Sequence, residues 1–180
     1  MIEESYRHLA PKRLAALAAQ PRAVEGGEII EIARLWLDGW GDAHAGLLPP
    51  ELARHRTLES FIARLRAEQR EAATVGPAGA PLGFYLLKGD ELNQFYVSRE
   101  ARGKGVASVL LLDAEARLAH NGVDLAWLAC AIGNDRAARF YEKSRWRRGG
   151  TVVSHLPTPE GTFDLEVWRY EKRLRPERRV

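Results

Sequence analysis

Cysteine is nearly missing from this chain. Cys130 is the only one in 180 residues, so neither an intrachain disulfide nor a Cys-x-x-Cys metal site can form, and no metal is expected. There is no run of about 18 apolar residues, the length a bilayer-spanning helix needs. The first twenty residues mix acids with bases rather than building the apolar stretch of a secretory signal. A membrane is therefore not an expected partner, and the expected location is cytoplasmic. Charge of one sign is scarce as well: 27 Lys and Arg against 24 Asp and Glu leave a formal +3, and much of the surplus sits in the tail with Arg173, Arg175, Arg178 and Arg179. Such a tail reads as a solvated terminus. A nucleic-acid module, which would need clustered phosphate contacts, is the remote alternative. Internal repeats and low-complexity linkers are also lacking, which leaves one domain over residues 1–173 and a basic tail over 174–180.

The remainder is ordinary globular material, 46% hydrophobic and 28% charged. Residues 28–40 repeat Ile29, Ile32, Ala33, Trp36 and Trp40 at spacings of three and four, which predicts an amphipathic helix. The breaker-rich GDAHAGLLPP predicts a loop. Residues 51–71, with Leu58, Phe61, Ile62 and Leu65, predict a second helix. Strands are expected over 71–76, 82–88 and 91–98, joined by hairpins at Gly79-Ala80-Pro81 and Gly89-Asp90. A long helix follows from about Lys104 to His120, closed by Asn121-Gly122. Then come an apolar strand over 124–132, a short helix over 134–144 and two strands over 146–153 and 163–173. Residues 1–27 are uncertain: an opening strand near Leu14 to Ala19 competes with an Ala-rich helix. The fold class is α/β, a mixed and mostly antiparallel twisted sheet of six to seven strands flanked by about four helices.

The segment FYVSREARGKGVASVLLL places a strand, a turn with Gly103 and Gly105, and a helix in succession. A helix N-terminus exposes unpaired N–H groups and the positive end of its dipole, and glycines let a ligand approach the backbone. Arg102 and Lys104 add positive charge, so a phosphate-bearing ligand is expected. Neither the Walker form nor G-x-G-x-x-G is present, which disfavours nucleotide hydrolysis and dinucleotide redox chemistry.

These residues resemble the GNAT superfamily of N-acetyltransferases, whose acetyl-coenzyme A signature [QR]-x-x-G-x-[GA] is matched by Arg102-Gly103-Lys104-Gly105-Val106-Ala107. A second family element, Asn then Ala then Phe-Tyr on a short helix, matches Asn134, Ala137, Phe140 and Tyr141. The resemblance covers about residues 28–173. It implies a sheet splayed at a central parallel strand pair, acetyl-CoA as cosubstrate, and direct acetyl transfer to a primary amine of a small molecule, peptide or protein. A homodimer is also within the family's habit. A domain that binds or senses coenzyme A with little turnover is the alternative.

By the same resemblance, backbone N–H groups of residues 102–107 hold the pyrophosphate, and Phe95, Tyr96 and Val97 line the pantetheine arm as an added strand would. The N–H of Phe95 maps to the oxyanion donor. Glu91 matches the position of a catalytic glutamate, although an acid after Gly89-Asp90 is equally a solvated turn residue. Tyr141 matches the tyrosine that protonates the thiolate sulfur, or else packs with Ala137 and Phe140. Asn134 serves as helix cap, cofactor contact or both. Lys143 reaches the nucleotide phosphate or is a solvated helix end. Trp40 and His44, in a stretch similar to a W-x(n)-Y-x-G-L-L-P pattern, border the acceptor or are packing residues. Where the family writes Gly before an aromatic, this chain has Arg145-Trp146, which implies a different helix termination. Cys130 reads as a buried inert thiol.

Overall fold

The computed structural model describes residues 20–44 and 46–174. The expected element near Leu14 to Ala19 lies outside them. Seven strands form one sheet among the described residues: β1 (Arg22–Ala23), β2 (Ala72–Val75), β3 (Gly83–Lys88), β4 (Glu91–Val97), β5 (Leu125–Ala131), β6 (Arg147–Thr158) and β7 (Gly161–Arg173), in the order β1-β2-β3-β4-β5-β7-β6. Every pair is antiparallel except β4 with β5. The helices are α1 (Ile29–His44), α2 (Pro50–Ala53), α3 (Leu58–Ala67), α4 (Val106–His120) and α5 (Asp135–Lys143).

Strand alternation sends Phe84 to one face of the sheet and Tyr85 to the other, and the core divides accordingly. On the first face Ile32, Trp36 and Ala33 of α1 meet Phe61 and Leu65 of α3 over Phe84 and Leu86. Trp36 lies 4.5 Å from Phe61 and 5.4 Å from Phe84, centroid to centroid. On the second face Leu110, Ala114 and Leu118 of α4 cover Tyr85, Leu87 and Leu128, with Tyr141 and Trp146 at the margin. β2 and β3 are thus buried on both faces, which is why they read as nearly continuous apolar runs, whereas β6 at the far edge is largely exposed.

Three expectations need correction. The loop expected from Gly41 begins only after His44, because α1 continues through Gly41–His44 and is closed there by His44 Nδ1 on the Trp40 carbonyl. The single helix over 51–71 is two helices, because Thr57 begins a new one. Its hydroxyl accepts from the Ser60 N–H and the Ser60 hydroxyl accepts from the Thr57 N–H, a reciprocal cap that takes extended backbone at Thr57 and excludes continuation from α2. The termination after α5 is also the one that a glycine would make. Arg145 itself adopts φ 68°, with Trp146 N–H donating to the Tyr141 carbonyl and Arg145 N–H to that of Glu142, each at 3.0 Å. Trp146 is buried against Tyr141, and that contact holds the turn in spite of its left-handed residue.

The feature that makes room for a ligand is in β4. Leu86 pairs with Gln94 but Leu87 pairs with Leu92, so Asn93 is an extra residue, a bulge. Bulges bend and twist the strand that carries them. β4 keeps a single registered partner in β5, Glu91 with Trp127, and diverges from it beyond that point.

Candidate active site

Past the bulge, Ser98 N–H donates to the Leu82 carbonyl of the β3 side at 2.8 Å. Because strand amides alternate, the N–H groups of Phe95 and Val97 turn the other way, toward the edge that β5 has left. A hollow of about 370 Å³ fills this divergence. It is lined by Phe95, Tyr96 and Val97 of β4, by Ala129, Cys130 and Ala131 of β5, by Asn134, Ala137, Phe140 and Tyr141 around α5, and by Arg102, Gly103 and Ala107 at the start of α4.

The turn into α4 has the expected backbone. Gly103 and Gly105 have φ 71° and 84°, and Gly105 is an N-cap with no side chain to cap the helix, so among the described residues no side-chain cap takes the first amides of α4. Arg102 is oriented by Asp42 of α1, which accepts from its Nη2 at 2.9 Å. Arg136 of α5 lines the same hollow. Burial lowers its pKa first, and the charge of Arg102 lowers it further. Two guanidinium groups therefore converge near the turn, a pattern that a pyrophosphate relieves.

At the opposite wall an aromatic cluster joins β4 to α5. Phe95 stacks on Phe140 at 5.8 Å and meets Tyr141 edge-on at 6.3 Å. Tyr141 is buried, and burial pushes its phenol above the ordinary tyrosine range, so it stays protonated at neutral pH. Asn134 caps α5, its Oδ1 accepting from the Ala137 N–H at 3.2 Å, while it also lines the hollow. Cap and wall are one residue. Burial pushes the Cys130 thiol up to about 11, so it is not a thiolate at neutral pH.

A second hollow of about 130 Å³ opens on the other side of the divergence, lined by Trp40, Arg56, Arg64, Glu91 and residues of the β6–β7 hairpin. The two hollows share His44, Asn93, Gln94, Tyr96, Ala129 and Ala131. Glu91 is half-buried, and that burial raises its carboxyl pKa against the opposing pull of Asn93 and Lys88. Nδ1 of His44 lies 2.9 Å from the Trp40 carbonyl, which can only accept, so Nδ1 carries the hydrogen and Nε2 of the neutral ring is the acceptor nitrogen.

Of the residues expected from sequence, ten line the first hollow in the β4, α4 and α5 groups above. Glu91 and Trp40 line the second, and His44 lines both. Lys104 and Gly105 are exposed on the turn, Val106 is buried beneath it, and Lys143 is exposed at the end of α5, none of them on either wall. Asn93, Gln94, Arg136, Arg56 and Arg64 were not anticipated. The bulge that presents the first two has no compositional mark. Arg136, two residues after Asn134 in the second motif, was available as a helix-borne cation close to the cap.

Among the described residues no cluster of His, Cys, Asp and Glu could hold a metal ion, and no helix is long and apolar enough to cross a membrane. The sequence matches the model of the acetyltransferase (GNAT) family over residues 4–145. No curated protein matches it at the sequence level. Solved structures with a similar fold include a GCN5-related N-acetyltransferase from Rhodopseudomonas palustris, at 18% identity and TM-score 0.68, covering 86% of this chain and 95% of that one. The PaiA N-acetyltransferase of Thermoplasma acidophilum, solved with coenzyme A, matches at 18% identity and TM-score 0.60, over 86% of this chain and 98% of its own. The yncA protein of Salmonella typhimurium, solved with acetyl-CoA, matches at 12% identity and TM-score 0.65, over 90% and 97%.

Proposed function

Because the chain belongs to the GNAT acetyltransferase family, we propose that it moves the acetyl group of acetyl-CoA directly to a primary amine, with thioester and amine entering from opposite sides of the sheet. The observation that carries this reading is the divergence of β4 from β5 after a single registered pair, with outward amides on β4 running into an uncapped helix start. The first hollow supplies a strand-like edge for an extended amide-bearing arm and N–H groups with two arginines for its phosphates.

A primary amine has a pKa near 10, so its proton must be removed before it attacks. Glu91, in the second hollow and with its affinity for protons raised by burial, takes that proton directly or through water. The N–H of Phe95 donates to the carbonyl oxygen as it gains charge, a preorganised donor worth roughly 3 kcal/mol. Tyr141, kept protonated by burial, donates its hydroxyl proton to the departing sulfur.

The test is thiol release from acetyl-CoA with a panel of amines. Tyr141→Phe lowers kcat on the order of 100-fold while the stabilisation of the protein by acetyl-CoA in a thermal melt persists. A protein that is stabilised by acetyl-CoA but releases no thiol with any amine is a coenzyme A binding module, and the reading fails.

A further inference from the structure

The second hollow has a polarity that acetyl transfer alone does not require. Arg56 lies in the break between α2 and α3 and is only 7% exposed. Its Nη1 donates to the Pro157 carbonyl at 3.0 Å, which is a dipole and not a charge. Arg64, in the last turn of α3, holds its guanidinium 4.6 Å above the Trp36 ring. Neither forms an ion pair with a carboxylate among the described residues. Each instead sits beside the other, and the like charge of Arg64 adds to the burial that lowers the pKa of Arg56 to about 10. Arg64 is half-buried and feels the charge of Glu68 without pairing to it, whereas Arg56 is buried with no carboxylate acting on it. Burying a cation without a counter-charge is costly, and a like charge beside it adds to the cost.

Glu91 lines the same hollow but does not neutralise them. Its electrostatic neighbours are Lys88, Asp90 and Arg169. The hollow is thus lined by an acid from the vertex of the divergence, by two cations from α3 and the segment before it, and by the apolar Trp40, Leu156 and Val167. At about 130 Å³ it has room for a few waters' worth of solute, the size of a small molecule's polar head and short side chain.

We infer that the acceptor is a small amine that also bears a carboxylate, seated with the carboxylate on Arg56 and Arg64 and the amine toward Glu91. The inference rests on the acetyl-transfer reading for what happens to the amine, but the anion site stands on the arginines themselves. A guanidinium forms forked, charge-assisted hydrogen bonds with a carboxylate, and two of them fix its position. Polyamines and other polycations are disfavoured by the same pair, since their second charge would meet the two arginines.

Matched pairs of acceptors test it: leucine against 3-methylbutylamine, and phenylalanine against 2-phenylethylamine, which differ only in the carboxylate. With saturating acetyl-CoA, the amino acid is favoured in kcat/KM on the order of 30-fold. Arg64→Gln abolishes most of that preference by raising KM for the amino acid, and Arg64→Lys retains part of it. Arg56→Gln does the same if circular dichroism shows it folded, since Arg56 also ties the loop to β6. Preference for the decarboxylated amine in the native protein, or a preference untouched by Arg64→Gln, overturns the inference. If no amine releases thiol, the acetyl-transfer reading fails separately. Calorimetric titration of the same pairs into protein saturated with coenzyme A then decides, with carboxylate-selective binding lost in Arg64→Gln supporting the anion site and unselective or absent binding overturning it.

Discussion

Asp42, in the last turn of α1, accepts from Nη2 of Arg102 at 2.9 Å, so the helix that walls both hollows also orients the first residue of the glycine turn. The Arg99 and Arg102 guanidinium groups hold the Asp42 carboxyl below its usual range. An ion pair this accessible adds at most about 1 kcal/mol to stability. Its consequence is position: Arg102 is held over the hollow before a phosphate arrives. Arg102→Gln raises KM for acetyl-CoA by roughly tenfold while kcat changes little, because a phosphate contact is the same in ground and transition states. The loss shrinks in high salt as the native contact is screened. Steady-state kinetics at two ionic strengths check both statements, and a fall in kcat with KM unchanged would remove Arg102 from the phosphate site.

Under the proposed reaction, Glu91 gives the pH profile its acidic limb. A base acts only when ionised, and burial raises the Glu91 pKa from the ordinary 4.5. The kcat/KM profile therefore bends at a pH above that of a free glutamate. Glu91→Gln lowers kcat/KM by roughly 100-fold at neutral pH and removes the bend. What remains rises steadily with pH as the acceptor amine loses its proton unaided. A variant profile that keeps the same bend would falsify the assignment of Glu91 as base.

His44 makes acid stability a second, separable measurement. Burial lowers its pKa from 6.5 to about 4, with the nearby charge of Arg56 in the same direction and the hydrogen bond to Trp40 opposing. A folded pKa below the unfolded one contributes stability that is present above pH 6.5 and is lost as pH falls toward 4. Each pH unit of displacement is worth about 1.4 kcal/mol, so the loss approaches about 3 kcal/mol at the acid end. Asp42 and Glu28, whose pKa values are lowered from 3.8 and 4.5, lose their contributions at lower pH. His44→Gln flattens the decline between about pH 6.5 and 4.5 in urea unfolding followed at half-unit steps. A native and a variant curve of the same slope there would show that His44 titrates normally.

Much of the fold is legible because local and global preferences agree. Trp36 and Phe61 recur at helical spacing and face one another across α1 and α3, and Gly89-Asp90 turns the hairpin that begins β4, the strand lining both hollows. The first hollow was legible in its α4 and α5 walls, where residue type and spacing mark Gly103, Asn134 and Tyr141. The second was not. Arg56 and Arg64 look like surface cations in the run from Arg54 to Arg66, and only the break between α2 and α3, closed by the reciprocal cap at Thr57, turns the first of them inward. The bulge at Asn93 was equally hidden, since one extra residue in β4 is defined by its partner β3 and not by its own sequence.

Arg145 supplies the last expected outcome. Its φ of 68° is the only positive value at a non-glycine position among the described residues, and the paired bonds from Trp146 and Arg145 back to Tyr141 and Glu142 require it. An L-residue with a side chain pays about 1–2 kcal/mol there, whereas glycine pays only the greater entropy of its unfolded chain, about 0.5–1 kcal/mol. Arg145→Gly is therefore stabilising by roughly 0.5–1 kcal/mol, read as a higher urea midpoint at constant slope. The side chain is exposed and makes no hydrogen bond or ion pair with another described residue, so no compensating loss is expected from removing it. The turn also fixes Tyr141, whose carbonyl it engages, and a better turn leaves kcat unchanged if the tyrosine is already in place. A midpoint that falls on Arg145→Gly would mean that the turn is held by the arginine and not merely tolerated by it.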